Sequence, residues 1–288
     1  MLNGFINLYK ESGVSSNKAL SIIKRLLKEN KIITKVGHFG TLDPLAEGVL
    51  PIALGRATRL FDYTLAKEKT YIATFIFGKE TDTLDITGKI TSEEEVTVTT
   101  YDINKVIDNF IGEIDQMPPQ FSAKSINGVR AYKLARKGIE VNLQPKKITI
   151  YDIKLLKQVE NNAFEFSITC SGGTYIRSIV RDLAARLGTI GVMSKLVRTK
   201  SGNFSIENSV KVQDIDDITK FIMPINVFTD NFDKIYLTDE QKTSLINGIF
   251  PKLSGITDKY YAVYGDDTLM GIGESCNNDL LRLKTWLL

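Results

Sequence analysis

GHFGTLDPLAEGVLPIALGRATR, residues 37–59, gathers four glycines, two prolines and the chain's only histidine into twenty-three residues. Asp43–Pro44 reads as a turn dipeptide, because the proline ring pushes the preceding residue out of helical space and a short carboxylate hydrogen-bonds its own backbone. Glycine opens backbone conformations closed to other residues. Taken alone, the segment is either a run of tight bends or a loop that presents Asp43 and His38, five residues apart, to a site. Residue types leave both readings open.

The flanks alternate helix and strand signals. Upstream, SNKALSIIKRLLKEN (residues 16–30) spaces Ala19, Ile22, Ile23, Leu26 and Leu27 along one helical face, with Ser15 or Ser16 as N-cap. Downstream, KTYIATFIF (69–77) alternates Tyr71, Ala73, Phe75 and Phe77 and predicts a strand. TYDINKVIDNFIGEI predicts a helix with Ile103, Val106, Ile107, Phe110 and Ile111 on one stripe. Strands are expected over 149–159 and 163–170. The turn SGGT then leads into a helix, YIRSIVRDLAARLG, stopped by Gly188. No strict βαβ alternation and no repeat occur, so the expected class is α+β. After about Asp230 the pattern becomes a short helix, LTDEQKTSLINGI, a hairpin turning at 265–267 and a last strand, LRLKTWLL. The expected organisation is a main domain over 1–230 and a small β-rich one over 231–288.

With 288 residues, 43% hydrophobic, the chain has material for a full core. It contains neither a membrane-length apolar run nor a signal-peptide pattern at its start, so a cytoplasmic location is expected. Cys170 and Cys276 form no CxxC or Cys/His cluster, and one histidine excludes a His-rich metal site. Acid–base chemistry must therefore come mainly from carboxylates, Tyr, Lys and Arg. The net charge of +3 is mild, but from Gln120 to Lys147 seven basic residues stand against one acidic residue.

The 37–59 segment resembles the signature GHxGTLDPxAxGVLPxxxGxAT of the TruB family of bacterial tRNA pseudouridine synthases. KTY, with Lys69 and Tyr71, is similar to that family's second motif. MPPQFSAKSINGVRAYKLARKG (117–138), GGTYIRSIVRDLA with Tyr175, Arg177 and Asp182, and LVRTKSGNF from Leu196 resemble the remaining motifs, in family order. Two departures stand out: Phe39 and Glu47 occupy positions where the family commonly has Thr. The resemblance implies a mixed, largely antiparallel central sheet with flanking helices, and a C-terminal domain of PUA type.

It also implies the chemistry. Making pseudouridine breaks the N-glycosidic bond of a uridine, turns the uracil in place and rejoins it through carbon, with no cofactor and no metal. Asp43 is implied as the catalytic nucleophile, suited because a carboxylate reacts with base or sugar without prior activation; the atom it engages stays open. Arg177 is implied as its charge partner; the bland alternative is a helix-surface charge paired with Asp182. Tyr71 would stack on the uracil and assist proton removal from carbon, or else merely begin a strand. His38 would fill the space left by flipped nucleotides, or simply pack. Tyr175 and Leu196 would wall the uracil, or serve the core.

In the family, the basic segment, 118–147 here, forms a thumb-like insertion that grips RNA. Lys124, Arg130, Lys133, Arg136 and Lys137 are its expected phosphate contacts, and Lys69, outside that segment, is implied as a further RNA-binding residue. The implied partner is the T-arm stem-loop of tRNA, modified at position 55 by a monomer. An RNA chaperone without catalysis is the second reading, and it can coexist with the first. A metal-dependent hydrolase, the third, has no ligand cluster behind it.

Overall fold

The computed structural model describes residues 2–64, 68–122, 125–126, 128–135, 138–139, 141–230, 232–257, 259–276 and 279–288. The chain begins with β1 (Gly4–Lys10), α1 (Ser16–Glu29), β2 (Val36–His38), β3 (Glu47–Leu54) and β4 (Lys69–Phe77). A side hairpin, β5 (Lys79–Thr81) with β6 (Ile90–Glu93), precedes α2 (Thr100–Val106) and β7 (Gly112–Gln116). Next come β8 (Ser125–Ile126), β9 (Val129–Arg130) and α3 (Ala131–Ala135), then the long hairpin β10 (Lys146–Glu160) and β11 (Ala163–Cys170). α4 (Ile176–Arg186), β12 (Gly191–Ser201), β13 (Phe204–Ser205), β14 (Val210–Lys211) and α5 (Asn226–Thr229) follow.

Ten of these strands form one mixed sheet whose main path runs β14-β1-β3-β12-β4-β11-β10-β7. Only β1–β14 and β3–β12 are parallel along that path. The expected α+β architecture, mixed and largely antiparallel with flanking helices, is the one observed. Ser15 caps α1 by accepting the Lys18 N–H, and Ala19, Ile23 and Leu27 face inward at helical spacing. They join Ile179, Val180 and Leu183 of α4 and the sheet residues Tyr71, Ala73 and Phe75 in the principal core. Gly188, at φ +74, ends the α4 region as its position predicts.

One expected element is corrected. The helix read through TYDINKVIDNFIGEI ends at Val106, and a single 3-10 turn carries the chain to Phe110. Gly112, at φ +110, then starts β7, which pairs with β10 through Ile114 and Ile148. Edge pairing with the long strand outweighs the helical stripe there, and Ile111 is left 48% exposed.

A second sheet follows, built from β15 (Asp233–Leu237), β16 (Tyr260–Gly265), β17 (Thr268–Cys276) and β18 (Leu280–Trp286), with α6 (Asp239–Ile246) after its first strand. The expected turn is present: Asp266 and Asp267 both take positive φ, +48 and +58, between β16 and β17. This sheet packs on the first through a shared cluster in which Phe5, Phe39 and Phe228 meet Ile272 and Leu287. The Arg56 and Arg59 guanidinium groups donate to the Leu287 and Trp286 carbonyls at 3.2 and 2.7 Å. No helix among the described residues is long and apolar enough to cross a membrane.

Candidate active site

Asp43 occupies a tight turn between β2 and β3, closed by the Ala46 N–H donating to the Asp43 carbonyl at 3.1 Å. Four groups from elsewhere grip this turn. Ser16, the first residue of α1, accepts from Leu42 N–H at 2.9 Å and donates to the Leu42 carbonyl at 2.8 Å. The Gly13 N–H donates to the Pro44 carbonyl at 2.8 Å. The buried Lys10 ammonium donates to the Val14 carbonyl at 2.6 Å and reaches that of Pro44 at 3.4 Å. Arg198 of β12, only 1% exposed, donates to the carbonyls of Val49 at 2.7 Å and Gly40 at 2.9 Å.

Arg198 also accounts for two of the glycines. At Gly48, with φ +102, a Cβ would lie 2.3 Å from the Arg198 carbonyl oxygen, so any larger residue would force β3 and β12 apart. At Gly40, with φ +88, a Cβ would crowd the Arg198 guanidinium at 3.3 Å. Gly48 thus makes room for the β12 backbone, and Gly40 for the buried guanidinium that β12 carries.

Arg177, in the first turn of α4 and 5% exposed, meets this loop from the other side. Its Nη2 lies 2.8 Å from Asp43 Oδ2 and its Nη1 3.8 Å from Asp85 Oδ2. It also donates to the carbonyls of Thr83 at 2.8 Å and Phe121 at 3.0 Å. The two carboxylates differ sharply. Asp85 is buried, and its Oδ1 accepts from Thr83 Oγ1, Thr87 N–H and Thr87 Oγ1 at 3.1, 3.0 and 2.5 Å. The Asp43 side chain stays 36% exposed. Asp182, the alternative partner that sequence offered for Arg177, pairs with Arg181 at 2.7 Å instead.

Asp43 and Arg177 open onto a cavity of about 480 Å³ also lined by Tyr71, Leu196, Tyr175, Lys69, Arg198, Lys146 and Phe61. Tyr71 and Leu196 lie on the neighbouring strands β4 and β12. Gln116 holds Tyr175 by two hydrogen bonds, accepting its N–H at 2.8 Å and donating to its carbonyl at 3.1 Å. Burial pushes the Tyr71 hydroxyl above the usual phenol range, against the opposing pull of Arg198. Burial likewise raises Tyr175. It lowers the Lys69 ammonium to about 8, with the Arg198 charge adding to the effect.

Of the expected site residues, Asp43, Arg177, Tyr71, Tyr175, Leu196 and Lys69 therefore converge on one cavity. His38 does not line it. It lies in β2 opposite Ile52, partly buried, with its Nδ1 buried and without a hydrogen bond. Burial, and after it the Arg198 charge, lowers its pKa. Lys124, Arg136 and Lys137 lie outside the described residues, as do the side chains of Arg130 and Lys133. Sequence reasoning missed Lys10, Phe61, Asp85, Lys146 and Arg198. Two of these carried a signal without being singled out: Lys146 as a member of the basic run 120–147, and Arg198 as the arginine of the LVRTKSGNF motif.

Residues 24–176 match the model of the TruB family pseudouridylate synthase N-terminal domain, and residues 177–225 that of the tRNA pseudouridylate synthase B C-terminal domain. The chain belongs to the TruB family. It is 42% identical to tRNA pseudouridine synthase B of Clostridium tetani, over 98% of this chain and 99% of that one. It is 40% identical to the Rickettsia akari enzyme of the same name, over 97% and 98%. Among solved structures, a Cbf5-Nop10-Gar1 complex matches with a TM-score of 0.76 and 25% identity, covering 99% of this chain and 85% of that one. As a TruB-family enzyme, the chain isomerises uridine to pseudouridine in tRNA.

Proposed function

We propose that the target is the T-loop uridine at position 55 of tRNA, with Asp43 as the carboxylate that reacts with it. The observation that carries this reading is the 2.8 Å contact between a solvent-open Asp43 and a buried Arg177 at the wall of an aromatic and apolar cavity. A fixed guanidinium 2.8 Å away gives the carboxylate an opposite charge to lie against and a set direction. Tyr71, whose raised pKa keeps it a neutral phenol, offers a flat face to the uracil. Leu196 and Tyr175 exclude water that would intercept the detached base.

The isomerisation breaks the bond from N1 to the sugar carbon and forms one from C5. The hydrogen on C5 leaves and N1 gains one, so no group is added to the product. The enzyme works in this reading as a monomer in the cytoplasm. His38, beside the Asp43 loop, fits contact with RNA around the flipped nucleotide. The basic segment 118–147 and residues 231–288 serve as accessory RNA-binding units that add affinity through phosphates.

Asp43→Asn is the deciding variant. It is expected to bind tRNA within a few fold of wild type and to form no pseudouridine at the T-loop, read by site-specific mapping. Full activity in that variant, or product only at other uridines, overturns the proposal. An RNA-folding role would survive loss of Asp43, so a tRNA-refolding assay with the same variant reads it separately.

A further inference from the structure

We infer that Phe61 is a stacking platform for an unpaired base next to the target uridine. The inference rests on uridine isomerisation in RNA and not on which uridine is modified. Phe61 belongs to the 3-10 segment Gly55–Thr64, whose Ala57, Leu60 and Tyr63 are buried. Phe61 itself is 49% exposed, yet it lines the cavity. Tyr71, Leu196 and Arg198 of the same cavity are buried, so Phe61 stands at its mouth and not at its floor.

Its backing is rigid. The Phe39 ring meets Phe61 edge-to-face at 5.7 Å and 79°. Phe39 is itself buried and held edge-on by Phe5 at 5.3 Å and Phe228 at 5.7 Å. Phe39 is one of the two residues where the signature segment departs from its family pattern, and a threonine there would offer no ring to hold Phe61. A half-exposed ring, backed by a fixed one, on a cavity that Lys69 and Lys146 also line is the arrangement by which proteins hold single-stranded nucleic acid: charge for the backbone, a ring for a base.

The test uses the full-length enzyme and a T-arm stem-loop RNA carrying 2-aminopurine, in turn, at each loop position beside the modified uridine. With wild type, binding should quench one position. Phe61→Leu keeps an apolar side chain but no ring; it should lose that quench and weaken binding about five- to a hundredfold, since one base–aromatic stack is worth that much. KM should rise more than kcat falls, and thermal unfolding should stay near wild type. Phe61→Trp should restore both quench and affinity. A quench kept in Phe61→Leu, or lost in both variants, overturns the inference. Pseudouridine mapping on the same RNA reports the T-loop assignment separately; if the wild type leaves the stem-loop unmodified, the same readings are taken on whole tRNA at the uridine it does modify.

Discussion

Arg177 holds one positive charge between two carboxylates in unlike surroundings. Asp85 is buried with Oδ1 fully engaged, whereas Asp43 faces the cavity. Asp85 thus fixes the guanidinium from behind, and Arg177 in turn aims Asp43. Asp85→Asn retains the shape and removes the charge. It is expected to lower kcat about ten- to a hundredfold with little change in KM, the range that a small misplacement of a reacting group produces. Single-turnover kinetics on tRNA checks this, and an unchanged kcat would remove Asp85 from the machinery. Lys69 makes a pH prediction. Its folded pKa of about 8 lies below the ordinary 10.5, so the unfolded chain holds this proton more tightly, and the group's contribution to folding rises as pH climbs through that interval. Phosphate binding has the opposite sign, because the contact needs the ammonium. RNA affinity at fixed ionic strength should fall above pH 8, by at most about tenfold per pH unit for one proton, and Lys69→Met should flatten that slope. The pair Asp43 and Arg177 was legible because two separate motifs carried them, the long ungapped 37–59 segment and GGTYIRSIVRDLA. Asp85 was not, since TLDITG reads as an ordinary turn, and neither was Lys10, whose role depends on carbonyls brought to it by folding.

At the scale of elements, β3 is the piece that places Asp43, and it is the least legible strand. EGVLPIAL has no alternation, because β3 is buried on both faces, and Pro51 argues against a sheet interior. The proline is tolerated because β2 stops pairing at His38 opposite Ile52. Pro51 therefore falls one residue past that ladder, where its carbonyl accepts the Phe39 N–H at 2.8 Å and no donor is required of it. By contrast, β4 was readable throughout, its period-two pattern surviving as alternate burial of Lys69, Tyr71, Ala73, Phe75 and Phe77. The short parallel join of β3 to β12, Glu47 to Val197 and Gly48 to Arg198, is where the loop is tied to the rest of the sheet. Gly48→Ala should separate these strands and cost about 3 kcal/mol or more, read by urea unfolding. A change below about 1 kcal/mol would show that the join yields without consequence.

At the scale of the molecule, the two sheets share an aromatic seam. Phe5 stacks on Phe228 at 5.5 Å, both touch Phe39, and Ile272 and Leu287 close the cluster from the second sheet. The small C-terminal sheet was legible from its turns; its attachment was not, because phenylalanines at 5, 39, 204 and 228 carry no mark of their meeting. Phe228→Ala is expected to destabilise the whole protein by about 3–5 kcal/mol through the cavity it leaves, and to loosen Phe39 and Phe61 with it. Thermal unfolding that splits into two transitions, with the first sheet unaffected, would contradict a shared core.

The seam also bears on how the protein comes into being. A ribosome lays the chain down from the amino end, and β1, with Phe5, is made first. Yet β1 gains its parallel neighbour only at Val210, its bridge only at Met223, and the ring stacked on Phe5 only at Phe228. The Asp43 turn, made equally early, waits for Arg177 and Arg198. A nascent chain halted before α4 holds Asp43 with neither the loop's buried clamp nor its backing, so a turn made early takes its working form only once β12 has been made.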